Sequence, residues 1–199
     1  TLLASGRLDE AVKVTTSLLN LSPENPVYAY YDARAKGDMP AHQPAELSRS
    51  LFDSAAHIFD QQLVQGLRYQ LPQEIAKQIT LLYPSKKFNL LDLGCGTGLL
   101  GAQLGKLQGR MVGIDVSPKM LEQARRRNLY DSLEVADIHD ALSTASTSPY
   151  EVITALDVCV YVGDLSRVIP AAWGALASGG CLILSCESGP EDGPDLFLN

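Results

Sequence analysis

No apolar run in this chain of 199 residues approaches the roughly 18 uncharged positions that a membrane-spanning helix needs. The first residues, Thr1 to Gly6, contain no basic stretch leading into an apolar one, so they do not read as a secretory signal. They also lack an initiator methionine, which leads us to expect a chain that begins within a longer protein. No CxxC pair occurs among Cys95, Cys159, Cys181 and Cys186, and no histidine stands at zinc-ligand spacing from them. The expectation is therefore no metal site, and four reduced thiols in a cytoplasmic protein. A basic excess is missing too: 16 Lys and Arg face 23 Asp and Glu, a net charge of −7. That argues against the broad positive footprint of a tight nucleic-acid binder. What is present is ordinary globular composition, 46% hydrophobic and 20% charged, at a length suited to one substantial domain. A domain of this size buries roughly 70% of its unfolded-chain surface, so it needs no disulfide or metal to fold.

The chain divides into three stretches. In the first, Leu8, Ala11, Val12, Thr15, Leu18 and Leu19 fall on one helical face, and Ser22 to Pro26 ends the helix. A second helix is expected from Val27 to Lys36, closed by Gly37. Gly6, Ala11 and Pro23 have the spacing of a tetratricopeptide repeat, which residues 1–40 resemble; Thr15 stands where that repeat usually has an aromatic. An ordinary helical hairpin fits the same pattern. Residues 38–44 read as a linker, and residues 45–83 as helices interrupted at Pro72. From Phe88 the pattern becomes strand and helix in alternation. Strands are expected over 88–93, 110–114, 133–135, 150–156 and 180–186, and helices over 101–107, 117–129 and 165–176. Such alternation predicts an α/β fold, a doubly wound and mostly parallel sheet with helices on both faces. The organisation expected is a helical segment 1–40 and a domain 41–199, the latter made of a helical cap 41–84 and a sheet 85–199.

Ligands of such sheets bind beyond the carboxyl ends of the strands. The loop after the first strand is Asp92-Leu93-Gly94-Cys95-Gly96-Thr97-Gly98, whose alternating glycines permit a sharp turn and close ligand approach. Asp115 ends the second strand, 21 residues past Gly94, and is placed to accept both hydroxyls of a ribose. Asp137 follows the third strand and Asp157 the fourth, so four acids and a glycine loop share one rim. A GxGxxG pattern, Gly96 to Gly101, also offers a dinucleotide reading. It begins late after the strand, and a pyrophosphate suits a rim of carboxylates poorly. A sulfonium carried on an adenosine suits that rim better.

Leu90 to Gly98 and Val112 to Leu121 resemble the first and second motifs of the class I S-adenosylmethionine-dependent methyltransferases. The resemblance covers about residues 88–187. It implies S-adenosylmethionine as cofactor, with its methionine part over Gly94, Cys95, Gly96 and Gly98, its ribose on Asp115 beside Val116, and Met120 against the adenine. Asp137 would accept from the adenine amino group, with Ala136 beside it and the Ile138 N–H reaching a ring nitrogen. Leu156 and Asp157 would lie near the transferable methyl. Residues 51–60 resemble the helical cap of small-molecule members, in which an aromatic near Phe59 closes over the cofactor; Tyr69 is a second such residue.

The family sheet has seven strands, and this chain supplies five before an acidic tail from Glu187, with Glu191, Asp192 and Asp195, that reads as loop. The expectation is a fragment lacking the last two strands. After Asp157 the sequence has neither the prolines typical of base-amine methylation nor a Pro-Cys pair, so a small-molecule acceptor is favoured over nucleic acid. Tyr161, Asp157 and His57 are the candidate general bases, and His139 reads as a surface residue. Two other readings stand beside the methyltransferase: a cofactor-binding interaction module that docks a protein partner through its N-terminal helices, and an NAD-dependent oxidoreductase using Gly96 to Gly101.

Overall fold

The computed structural model describes residues 2–3, 5–143 and 149–186, apart from the side chains of Val64 and Gln65. The acidic tail, with Glu191, Asp192 and Asp195, lies outside the described residues. Two helices, α1 (Leu8–Leu21) and α2 (Pro26–Ala35), pack against each other at the N-terminal end. Asn25 caps α2 by accepting from the Val27 and Tyr28 amides, and Pro26 takes the first helical position, where no N–H is required. Between the two helices the Asp32 carboxylate accepts from Thr15 at 3.1 Å and Thr16 at 2.8 Å, and it pairs with Lys36. Thr15, at the repeat's aromatic position, is thus a buried hydrogen-bond donor, and the two helices form a hairpin.

A linker leads into α3 (Ala45–Ala55), a π-helical turn (Gln61–Gly66) and α4 (Leu71–Leu82). Pro72 punctuates this helical stretch, as the sequence suggests. It opens α4 from the first turn, where proline is favoured.

The sheet follows: β1 (Leu90–Leu93), α5 (Leu99–Leu104), β2 (Met111–Asp115), α6 (Pro118–Arg126), β3 (Ser132–Val135), α7 (Ile138–Ser143), β4 (Tyr150–Ala155), α8 (Cys159–Val162), α9 (Val168–Ala175) and β5 (Leu176–Leu184). The strand order is β3-β2-β1-β4-β5 and every pairing is parallel. Side chains alternate between two cores. Leu91, Leu93, Val112 and Ile114 pack with Ile138 and Leu142 of α7 and Val168 and Ala172 of α9. Leu90, Met111 and Val152 face the other way, onto Ala76 and Ile79 of α4 and Leu100 and Leu104 of α5. Burial on both faces explains why β1 and β2 read as unbroken apolar runs. The chain winds outward from β1 through β2 to β3, then crosses back to β4 on the other side of β1. Leu93 pairs with both Ile114 and Ala155, so β1, β2 and β4 end level and deliver their loops to one rim.

Several elements differ from the sequence reading: α5 spans Leu99–Leu104 rather than 101–107, and a π-helical turn occupies Gln61–Gly66. β5 starts at Leu176 rather than Gly180, with a register shift against β4 between the pairs Tyr150–Leu176 and Val152–Cys181. The short helices α7 and α8 were not foreseen. Among the described residues no helix is long and apolar enough to cross a membrane, and no cluster of three metal-ligating side chains occurs.

Candidate functional site

A cavity of about 850 Å³ opens at this rim, roofed by the helical cap. Its size is that of sites enclosing a drug-sized ligand. Asp115 closes β2 and folds its carboxylate back onto the glycine loop. It accepts from the Gly96 amide at 2.9 Å and from the Ser117 amide at 2.8 Å. Burial raises the Asp115 pKa, the two amides oppose that, and the charge of Asp53 adds to the rise. Asp137 accepts from the His139 amide at 2.8 Å, which anchors the first turn of α7. Asp157 adopts a left-handed conformation, φ +53°, two residues past the end of β4. Its amide donates to Ser185 Oγ at 2.6 Å, and Ser185 Oγ is 2.7 Å from its carboxylate. The Tyr69 phenol, which hydrogen-bonds to Asp157, is held well above its ordinary pKa by burial, by that bond and by nearby carboxylate charge.

Asp92 is the most deeply buried of the four acids. It accepts from Tyr130 Oη at 2.7 Å and Thr154 Oγ1 at 2.8 Å. Burial outweighs these bonds and pushes its carboxyl up to about 6 from an unperturbed 3.8, with the charge of Asp115 also raising it. The unfolded chain therefore ionises first as pH rises. The folded state holds the extra proton between about pH 4 and 6, so stability falls across that window. At about 1.4 kcal/mol for each pK unit, the loss is on the order of 3 kcal/mol. Asp92→Asn keeps one acceptor and cannot ionise, so urea unfolding at pH 4 and pH 7 should show this slope in the native chain and its loss in the variant.

The cap is tied to the rim by polar contacts from separate elements. Ser117 Oγ donates to Asp53 at 2.6 Å, and Arg49 Nε donates to the Val116 carbonyl at 3.0 Å. Asp60, ahead of the π-helical turn, accepts from Thr97 Oγ1 of the glycine loop and pairs with Arg127. Arg127 Nε in turn donates to the Thr97 carbonyl at 2.7 Å. The Asp60–Arg127 pair is partly exposed, so Arg127→Ala should cost no more than about 1 kcal/mol in global stability. It should nonetheless loosen the cap locally. Hydrogen exchange of amides 61–67 is expected to speed up several-fold, and an unchanged rate would show that the tie holds nothing in place.

Most residues singled out from the sequence converge on this cavity. Asp92, Gly94, Cys95, Gly96, Asp115 and Val116 line it, as do Met120, Ala136, Asp137 and Ile138. Leu156, Asp157 and Tyr161 form the β4 side, and Phe59 and Tyr69 reach in from the cap. Phe59 is the side chain nearest to Gly96, 4.0 Å from where a Cβ would stand. Phe52 links the two sides, edge-on to Phe59 at 6.2 Å and to Tyr161 at 5.0 Å. Gly98 is not among the lining residues. It caps α5 at φ +81°, and a Cβ there would meet Tyr130 at 3.0 Å and Ala124 at 3.3 Å. His57 is exposed and does not line the cavity. His139, read as a surface residue, does line it, with its ring 6.2 Å from that of His42.

The sequence reading missed Tyr130. Its ring would meet a Cβ at Gly98, Gly101 or Gly113 within 3.0 Å, while its hydroxyl holds Asp92. A lone tyrosine past a helix end carries no signal of such a role; the small residues that leave room for it are the only trace.

Comparison with known proteins agrees with this geometry. Residues 91–182 match the family model described as a methyltransferase domain. A ubiquinone biosynthesis O-methyltransferase of Xanthomonas oryzae pv. oryzae is 30% identical over 125 residues, 58% of this chain and 52% of that protein. The protein of the same description from Psychrobacter cryohalolentis is 30% identical over 101 residues, 48% of this chain and 39% of that protein. The chain thus spans about half the length, or less, of these curated relatives. Among solved structures, magnesium protoporphyrin IX methyltransferase from Synechocystis PCC 6803 with bound SAM shares the fold. Its TM-score is 0.59 at 17% identity, over 81% of this chain and 82% of that one. The SAM-bound amino pentose methyltransferase of calicheamicin biosynthesis from Micromonospora echinaspora has a TM-score of 0.52 at 26% identity, over 64% and 54%. Residues 91–182 are thus similar in sequence to a methyltransferase domain, and the five-stranded parallel sheet has the Rossmann-like fold of these methyltransferase structures.

Proposed function

We propose that the cavity binds S-adenosylmethionine and that the chain transfers its methyl group to a small-molecule acceptor. The observation that carries this reading is the convergence of Asp92, Asp115, Asp137 and Asp157 on one cavity beside a glycine loop. Carboxylates in that number favour a ligand with a positive charge and hydroxyl donors, and disfavour the pyrophosphate of a dinucleotide. Asp115 already holds two amides and would keep lone pairs for the ribose hydroxyls. Asp137 uses one oxygen on the His139 amide, which leaves the other for the adenine amino group. Met120 would pack on the adenine, and Phe59 would cover the cofactor beside Gly96.

Bound there, the cofactor supplies an electrophilic methyl on a sulfonium. The protein's part is alignment and exclusion of water, which proximity effects make the main source of rate. Phe52, Phe59 and Tyr161 wall the side where an acceptor would lie. The curated relatives are named O-methyltransferases, which favours a hydroxyl acceptor. Of the candidate bases, Asp157 and Tyr161 are in the cavity, whereas His57 is outside it. Asp157 is the stronger choice, because Ser185 and Tyr69 already fix its carboxylate. The N-terminal helical pair, with its repeat-like spacing, is the part we assign to a protein partner.

Calorimetry with S-adenosylhomocysteine and with NAD tests the cofactor reading. Binding of the first alone is expected; binding of NAD alone would overturn it. Transfer of labelled methyl to a metabolite panel then separates an enzyme from a cofactor-binding interaction module.

A further inference from the structure

β4 and β5 run side by side up to the pair Ala155 and Leu184. Beyond it the two strands stay fastened: the Ser185 amide donates to the Ala155 carbonyl at 3.1 Å, and Ser185 Oγ bonds to both the amide and the carboxylate of Asp157. The next residue on one side is Cys186, exposed; two residues on from Asp157 is Cys159, half-buried in the first turn of α8. Both are free thiols, and neither has a role in the function proposed above. The segment between them and the cavity is tightly seated. Val158 lies against Gly94, with a side-chain carbon only 2.2 Å from where a Cβ would stand, and Val158, Tyr161 and Val162 all line the cavity.

We propose that Cys159 and Cys186 are a redox pair, whose disulfide forms by exchange with a low-molecular-weight disulfide such as oxidised glutathione and fastens α8, a wall of the cavity, to the end of β5. The roles of the two thiols differ. Burial, followed by the charge and hydrogen bonding of Cys186, pushes the Cys159 thiol up to about 12, so it is the poorer first nucleophile. Cys186 is exposed and attacks first. Its thiolate displaces one glutathione thiolate, which takes up a proton, and leaves a mixed disulfide on Cys186. Cys159 then gives its proton to solvent as its sulfur attacks Cys186 Sγ, and the second glutathione departs. Two protein thiols are oxidised and one glutathione disulfide is reduced to two thiols. Cys95 and Cys181 do not enter: one is buried within the glycine loop, and the other stands inside β5.

The test needs no cofactor, so it does not depend on the methyltransferase reading. The native chain is incubated with oxidised glutathione, quenched with an alkylating agent and mapped by mass spectrometry without reduction. A peptide linking Cys159 to Cys186 is expected, with Cys95 and Cys181 alkylated. Cys159→Ser should stop at one stable glutathione adduct on Cys186, and Cys186→Ser should give neither adduct nor link. Hydrogen exchange on the native chain supplies the second readout. Oxidation should slow exchange of the Tyr161, Val162 and Gly163 amides at least threefold, and dithiothreitol should reverse it. A stable adduct on Cys186 with no link, a link through Cys95 or Cys181, or unchanged exchange in α8 would each overturn the proposal.

Discussion

Replacing Asp115 by Ala should weaken binding of S-adenosylhomocysteine by about ten- to a hundredfold and also destabilise the fold. The affinity loss follows from removing charge-assisted hydrogen bonds to two hydroxyls, about 1.5–3 kcal/mol. Sequence position alone suggests a carboxylate that faces only ligand, whose loss the fold would tolerate. The structure gives Asp115 a second task, because the Gly96 and Ser117 amides both donate to it. With Ala at that position, two amides in a largely enclosed place lose their acceptor, at about 1–3 kcal/mol each. Asp115→Asn separates the two effects. Its single carbonyl can serve one amide, so it should recover part of the stability while still losing affinity for the ribose. Urea unfolding gives the first quantity and calorimetry the second. A clearly smaller affinity loss in Asp115→Asn than in Asp115→Ala would mean that the seating of the loop, rather than the charge, holds the ligand. An unchanged dissociation constant in Asp115→Ala would place the ribose elsewhere.

The sheet was legible because burial on both faces makes its central strands apolar and the loops between elements short. β1, β2 and β4 could be placed within two residues from the apolar runs alone. The rim was legible for a related reason: in a parallel sheet every strand ends in the same direction, so Asp115, Asp137 and Asp157 had to share an edge with the glycine loop. The short elements were hidden. α8 is four residues, Cys-Val-Tyr-Val, and such a β-branched string carries strand propensity. It turns helical between Asp157, held left-handed, and Gly163 at φ +80°. α7 left a trace that went unread: Asp137 before Ile138 and Leu142, two residues four apart that are both buried. The cap's seating was not readable at all. Asp60 reaches Thr97 and Arg127 across 37 and 67 residues, and no local pattern encodes contacts of that separation. The same holds for Tyr130, whose contacts depend on Gly98 and Gly101 at the start of α5 and on Gly113 in β2.

Gly94→Ala should be the most damaging single methyl in the site. Two costs combine there. Gly94 stands at φ +67°, a left-handed conformation that costs a residue with a Cβ roughly 1–2 kcal/mol. The added carbon would also lie 2.2 Å from one Val158 methyl and 3.1 Å from the other, so the valine or the loop must move. Overpacking of this kind costs about 1–3 kcal/mol. The sum, about 2–5 kcal/mol, is a large part of a typical domain's stability. Its functional effect should exceed that of a simple clash, because Val158 stands between Asp157 and α8. Moving it displaces Asp157 from Ser185 on one side and Tyr161 from Phe52 on the other. We expect cofactor affinity to fall at least tenfold in whatever fraction remains folded. A double-mutant cycle separates the two costs. Val158→Ala removes both clashing methyls and leaves the valine's own Cβ at 3.2 Å, so the double variant should recover the steric part but not the backbone part. Unfolding free energies of the native chain, both single variants and the double variant provide the four corners. A coupling of at least about 1 kcal/mol in favour of the double variant is expected. Strict additivity would mean that Val158 is not the obstacle, and that the glycine is required for its backbone conformation alone.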